Sequence, residues 1–197
     1  MPKKVSASQP PQPTEVDKQV AESLLRESDR GCAIFGAEVL NDALENLLRL
    51  AFRRDPAAIR HAIDPLFSGY APLSTMSARI DLSFALGLIT PELRRRLGIV
   101  RRLRNTFAHA SGPIAFDDPT CRDRLAELIG GKVEEHSDDA LEVIFGRQQL
   151  SRGEAVTRIV FIMAITRIHS RIDFIASSIK EGKDGRVVAA RLEQGGM

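Results

Sequence analysis

The stretch from Arg30 to Arg53 constrains the fold more than any other part of the chain. At about 100° per residue, Ala33, Ala37, Leu40, Leu44, Leu47, Leu48 and Ala51 gather in one stripe. Glu38, Asp42, Glu45, Asn46 and Arg49 fall opposite it or at its edge. A helix of that length with one apolar side must be covered by other long elements. The remaining sequence offers more of the same. Leu, Ala, Ile and Arg dominate and aromatic residues make up only 5%, a composition that favours helix over sheet.

The punctuation between helices is legible. Residues 1–13 hold four prolines and almost nothing apolar, which reads as a disordered leader. Thr14 caps a first helix reaching about Ser28, with Val16, Val20, Leu24 and Leu25 on one side, and Asp29 reads as the next N-cap. Asp55-Pro56 stops the long second helix and opens a short one to Ile63. Leu73–Leu86 reads as a fourth helix, apolar on both faces apart from Arg79 and Asp81, and therefore central. Thr90-Pro91-Glu92 starts a fifth helix and Asp118-Pro119 a sixth that reaches Ile129. Val143-Ile144-Phe145 reads as helix or a short strand, and Gly153 to Lys180 as the last long helix. The expectation is an all-α, single-domain bundle of about seven helices over 14–180, with a frayed glycine-rich tail over 181–197.

Charge and apolar runs narrow the function classes. Lys and Arg number 28 against 26 Asp and Glu, so neither a polycation nor an acidic solvator is in view. No apolar run approaches the roughly 18–20 residues of a bilayer span, and Met1-Pro2-Lys3-Lys4 lacks the apolar segment of a secretion signal. Cys32 and Cys121 offer neither a disulfide framework nor ligand spacing, which points to the reducing cytoplasm. His61, His136 and His169 are scattered, Met76 and Met163 read as core filler, and no metal or cofactor is expected.

The near-neutral total hides two opposed patches. From Pro91 to His109 there are six arginines and one glutamate, a net +5. From Asp117 to Glu142 nine acids meet three bases, a net −6. On the basic helix Leu93, Leu97, Val100 and Phe107 form the apolar stripe, while Arg94, Arg95, Arg101, Arg102, Asn105 and His109 lie away from it. The outward Arg94, Arg95, Arg101 and Arg102 suit a protein partner or nucleic-acid phosphates. A true helix-turn-helix is disfavoured, because base-reading Asn or Gln is missing from the first turns of this helix.

Arg104 lies about 20° from Leu93, inside the apolar stripe. Guanidinium cannot shed its charge, so this side chain needs a partner, and Glu38, Glu45 and Asp81 are the acids best placed to meet it. The alternative is chemical. Arg104 could hold a phosphate, with His109 as general acid or base in metal-free phosphodiester cleavage. On an ideal helix the two side chains diverge by about 140°, so they converge only if the helix ends near Phe107 or a second subunit completes the site.

Five short motifs, taken together, resemble the mannitol operon repressor family. They are Asp29-Arg30-Gly31-Cys32-Ala33, Asn41-Asp42-Ala43-Leu44, Ser77-Ala78-Arg79-Ile80, Ala85-Leu86-Gly87-Leu88-Ile89 and Arg101-Arg102-Leu103-Arg104-Asn105-Thr106-Phe107-Ala108-His109. The resemblance implies an all-helical, non-enzymatic bacterial repressor without a familiar DNA-binding domain. It would act through a protein partner or self-association as a homodimer as readily as through direct DNA contact. Arg104-Asn105-Thr106-Phe107-Ala108-His109 is also similar to the arginine, polar residue and histidine signature of the HEPN superfamily. That similarity implies an RNase or RNA-binding module with Arg104 and His109 as the catalytic pair, oriented by Asn105.

Overall fold

The computed structural model describes residues 14–52, 55–133 and 152–194. The proline-rich leader, the segment from Glu134 to Glu142 with His136, and Val143-Ile144-Phe145 lie outside the described residues. Among those described, every regular element is helical: α1 (Glu15–Leu25), α2 (Asp29–Ala51), α3 (Pro56–Ala58), α4 (Met76–Ala85), α5 (Pro91–His109), α6 (Pro119–Ile129), α7 (Arg152–Lys180) and α8 (Gly185–Gln194). The described residues group into two compact units. The described residues within Asn41–Arg95 and His169–Met197 form one, here the Arg79 unit. Those within Pro13–Leu40 and Arg96–Ile168 form the other, the Phe116 unit.

In the Phe116 unit, Thr14 opens α1 as a reciprocal capping box. Asp17 N–H donates to Thr14 Oγ1 at 3.2 Å while Thr14 N–H donates to Asp17 Oδ2 at 2.7 Å. Leu24 is fully buried, whereas Val16, assigned to the same apolar side, is 54% exposed. Asp29 is not the N-cap of α2. Ser28 takes that role, its hydroxyl accepting from Gly31 N–H at 3.1 Å, and the Asp29 carboxylate turns inward. The core is built on an aromatic row. Phe107 and Phe116 lie 4.7 Å apart between centroids, and Phe116 and Phe161 stack at 4.6 Å. Gly36 lets α2 approach this row, since a Cβ there would lie 3.1 Å from Phe161 and 3.2 Å from Ile165.

In the Arg79 unit the expected short helix is three kinds of turn in succession. The α-helical Pro56–Ala58 passes into a π turn, Ile59–Ile63, and a 3₁₀ turn, Asp64–Phe67. Helix α4 starts later than its apolar pattern suggests, because Thr75 caps it through Ala78 N–H at 3.3 Å. It is not buried on two faces: Ala85 and Leu86 are exposed, and Arg79 is hidden alongside Ile80 and Ser83. Helix α7 contributes to both units: Ile159, Phe161, Ile162, Ile165 and Ile168 are buried in the Phe116 unit, and Ile172 and Ile175 in the Arg79 unit.

The tail expected to fray contains α8. Gly182, at φ +83°, ends α7 in the left-handed region, with Lys183 N–H donating back to Ser178 O at 3.0 Å. Asp184 then starts α8, its Oδ1 accepting from Arg186 N–H at 2.9 Å, while Val188 and Ala189 are buried. Gly185 is the close approach that seats this helix. A Cβ there would stand 2.8 Å from Ile179 and 3.1 Å from Leu88. Gly185→Val is therefore expected to cost about 1–3 kcal/mol by overpacking, read as a lower denaturation midpoint. Gly112→Ala, facing open space, serves as the control and is expected to stay within about 0.5 kcal/mol.

Candidate functional site

Helix α5 carries the basic residues singled out from the sequence, and its start is well specified. Thr90 Oγ1 accepts from Leu93 N–H at 3.2 Å, Pro91 needs no acceptor, and Glu92 sits in the first turn. Leu93, Leu97, Ile99, Val100, Leu103 and Phe107 are all buried. Including Ile99 and Leu103 moves the centre of the buried arc about 40° from Leu93, on the side away from Arg104.

Arg104 projects at the edge of that arc, between Leu93 and Leu97. Its side chain is 38% exposed rather than buried. Nη2 lies 3.7 Å from Glu38 Oε1, and Nη1 is 3.4 Å from Asn105 Oδ1. The two other acids considered for it serve different arginines: Glu45 faces Arg79 and Arg49, and Asp81 faces Arg94.

The outward arginines have unequal surroundings. In the Arg79 unit, Arg94 Nη2 bonds Asp81 Oδ1 at 2.8 Å and its guanidinium lies 4.7 Å from the Phe84 ring centre. Arg95 forms a two-pronged bond with Glu92 at 2.8 and 2.9 Å. In the Phe116 unit, Arg102 faces Glu127 at 3.4 Å. Arg101 makes no hydrogen bond or ion pair with any described residue. His109 is exposed and likewise unpartnered among the described residues. The helix continues through His109, so the angular divergence between Arg104 and His109 persists. Within one chain the structure does not bring them together.

Two buried clusters were not apparent in the sequence pattern. In the Arg79 unit, the Arg79 side chain is 6% exposed; Nε donates to Leu73 O at 2.8 Å, Nη1 to Asn41 O at 3.2 Å, and Nη2 meets Glu45 at 2.5 Å. Glu45 also accepts from Arg49, which bonds Asp64 and stacks 4.3 Å from the Phe67 ring centre. In the Phe116 unit, the Asp29 carboxylate accepts from Phe116 N–H at 2.9 Å and from Arg158 Nε at 2.6 Å. Next to it, Arg30 Nη2 donates to Ala110 O and Gly112 O, each at 2.9 Å, holding the chain as it leaves α5. Cys32 lies in this neighbourhood. Burial, opposed by Arg158, pushes its thiol from 9.0 up to about 12, and burial raises Cys121 as well.

Among the described residues no group of His, Cys, Asp or Glu is arranged to hold a metal, and no helix is long and apolar enough to cross a membrane. The described architecture is thus an all-helical module whose distinctive chemistry lies on its surface and in its buried ion pairs. The chain belongs to the mannitol repressor family, MtlR, which matches residues 16–173. It is similar to proteins named mannitol operon repressor from two strains of Escherichia coli. Each is 26% identical over 152 residues, spanning 73% of this chain and 74% of the relative. Among solved structures it resembles MtlR of the Escherichia coli MtlR–HPr complex, with a TM-score of 0.64 and 24% identity over 81% of this chain and 99% of that one. It also resembles YggD of Shigella flexneri, described as a possible transcriptional regulator, with a TM-score of 0.65 and 16% identity over 79% and 97% of the two chains. At those identities the structural likeness is one of fold.

Two measurements check the buried clusters. Arg79→Lys replaces a fork that reaches three acceptors with a point donor, and is expected to cost about 2–4 kcal/mol in denaturant unfolding. An unchanged midpoint would show that one ammonium suffices. Cys32 is expected to resist iodoacetamide at pH 8 in the folded chain and to react fully once unfolded. Because its folded pKa is raised, the associated stability is complete below about pH 9 and is lost as pH climbs towards 12.

Proposed function

We propose that this protein is a negative regulator of bacterial transcription that works by binding another protein rather than by reading DNA. Membership of the mannitol repressor family over residues 16–173 carries the proposal. The name of the Escherichia coli relatives supplies the target, a mannitol operon, and the cytoplasm is where such a regulator would act. The relative whose structure is described as an MtlR–HPr complex supports the protein-partner arm.

The chemistry of α5 supports the same reading. A recognition helix presents free polar side chains from its first turns to base edges. In this helix the first-turn candidates are held elsewhere, Arg94 by Asp81 and Arg95 by Glu92. The ribonuclease reading gains nothing comparable, because Arg104 and His109 sit on a continuous helix with divergent side chains.

The test has two arms. Deleting the gene is expected to raise mannitol-operon transcripts several-fold, and the full-length chain is expected to retain a protein partner from lysate after nuclease treatment. Unchanged transcript levels would remove the repressor reading. A partner that vanishes with nuclease would replace protein binding with nucleic-acid binding.

A further inference from the structure

Once the local ion pairs are accounted for, one stretch of α5 in the Phe116 unit keeps its positive charge. Arg101 has no partner among the described residues, and Arg104 has Glu38 only at 3.7 Å. Arg101, Arg104, Asn105 and Ala108 follow the spacing that places side chains on one helix face, and His109 continues it one turn beyond Asn105. Ala108 and His109 are exposed, and the other three are half-buried.

An aromatic side chain stands at the same level on α2. Arg30 reaches Ala110 while Glu38 reaches Arg104, so α2 and α5 run antiparallel here. Phe35 lies between those two contacts and one turn before Glu38, on the same outward stripe. It is 41% exposed, in a chain with only nine phenylalanines and one tyrosine. The result is an exposed apolar side chain on α2 at the level of two arginines and an amide on α5.

The arrangement favours one class of occupant. Guanidinium forks recognise carboxylate or phosphate oxygens in pairs. Affinity for a nucleic-acid backbone grows with the number of phosphates neutralised, and so calls for a long cationic track. Here such a track is interrupted, because Arg102 is already paired with Glu127 and Arg122 with Asp117. A few arginines around an exposed aromatic side chain are instead what the centre of a protein interface uses. Glu38, exposed and 3.7 Å away, is a loose partner that an incoming carboxylate can displace.

We propose that Phe35, Arg101, Arg104 and Asn105 form the docking surface for a protein partner whose acidic side chains surround an apolar pocket. The proposal rests on the protein-partner reading above and specifies where and by what chemistry that partner is held. Phe35 fills the pocket, Arg101 and Arg104 take the carboxylates, and Asn105 orients Arg104 through its side-chain oxygen.

The experiment places a photo-crosslinking phenylalanine analogue at Ala108 of the full-length chain, irradiates living cells, and identifies the attached molecule by mass spectrometry. The expected result is a protein adduct through a peptide rich in Asp and Glu. Its yield should fall about tenfold in R101E/R104E, corresponding to about 1.4 kcal/mol of binding. It should fall similarly in Phe35→Ala and stay unchanged in Arg191→Glu, an exposed arginine of α8. The milder R101Q/R104Q pair, with an unaltered melting midpoint, separates lost docking from lost folding. An adduct to nucleic acid, a peptide without acidic excess, full yield in the charge-reversed chain, or no adduct would each overturn the proposal. If R101E/R104E still retains the nuclease-resistant partner, the surface is wrong while the protein-partner reading stands. If the unaltered chain retains none, that reading fails as well.

Discussion

A guanidinium group stays charged at every pH at which a chain like this is folded, so each arginine must be paired or must reach water. That constraint sorts the structure. Arg79 gives up water almost completely and is met by a carboxylate and two carbonyls. Arg158 is met by Asp29, which also satisfies the Phe116 amide next to the aromatic row. The interior of each unit is arranged around one such commitment. On the surface the same rule separates arginines that are locally neutralised, Arg94, Arg95 and Arg102, from Arg101, which has no acid partner among the described residues.

Much of the helical framework was legible because its signals are local. Thr14, Thr90 and the Asp55-Pro56 and Asp118-Pro119 pairs mark helix starts with groups that act within three or four residues. The long α2 stripe is equally local, a matter of period. What escaped depends on distant partners. Asp29 has the chemistry of an N-cap, but Phe116 and Arg158 draw its carboxylate inward and leave the cap to Ser28. Helix α4 reads as apolar on two sides because nothing in a 3.6-residue period reveals that Leu73 O, Asn41 O and Glu45 together make a berth for Arg79. Helix α8 was hidden by its glycines, although Asp184-Gly185 carries an ordinary start signal. There Gly185 marks tight packing rather than disorder.

The basic helix was legible as a composition and not as a site. Counting charge along Pro91–His109 treats all six arginines alike. The acids that distinguish them come from α4, α6 and α5 itself, at separations that sequence spacing does not encode. Arg104 shows how sensitive such a projection is. It projects between buried Leu93 and Leu97, yet its side chain is 38% exposed and meets Glu38. For a regulator, that redistribution matters more than the total, since recognition depends on which charges remain available.

Both units are discontinuous in sequence, and this has a consequence for how the chain is made. The Phe116 unit needs α1 and the first turns of α2, but its aromatic row is incomplete until Phe161 has been synthesised. The Arg79 unit begins at Asn41 and waits for Ile172, Ile175 and Val188, near the end of the chain. Domains that are contiguous in sequence can fold one after another as they leave the ribosome. Here neither unit has that option, because one core waits for Phe161 and the other for Val188. Until then the apolar faces of α2 and α5 have no complete set of partners.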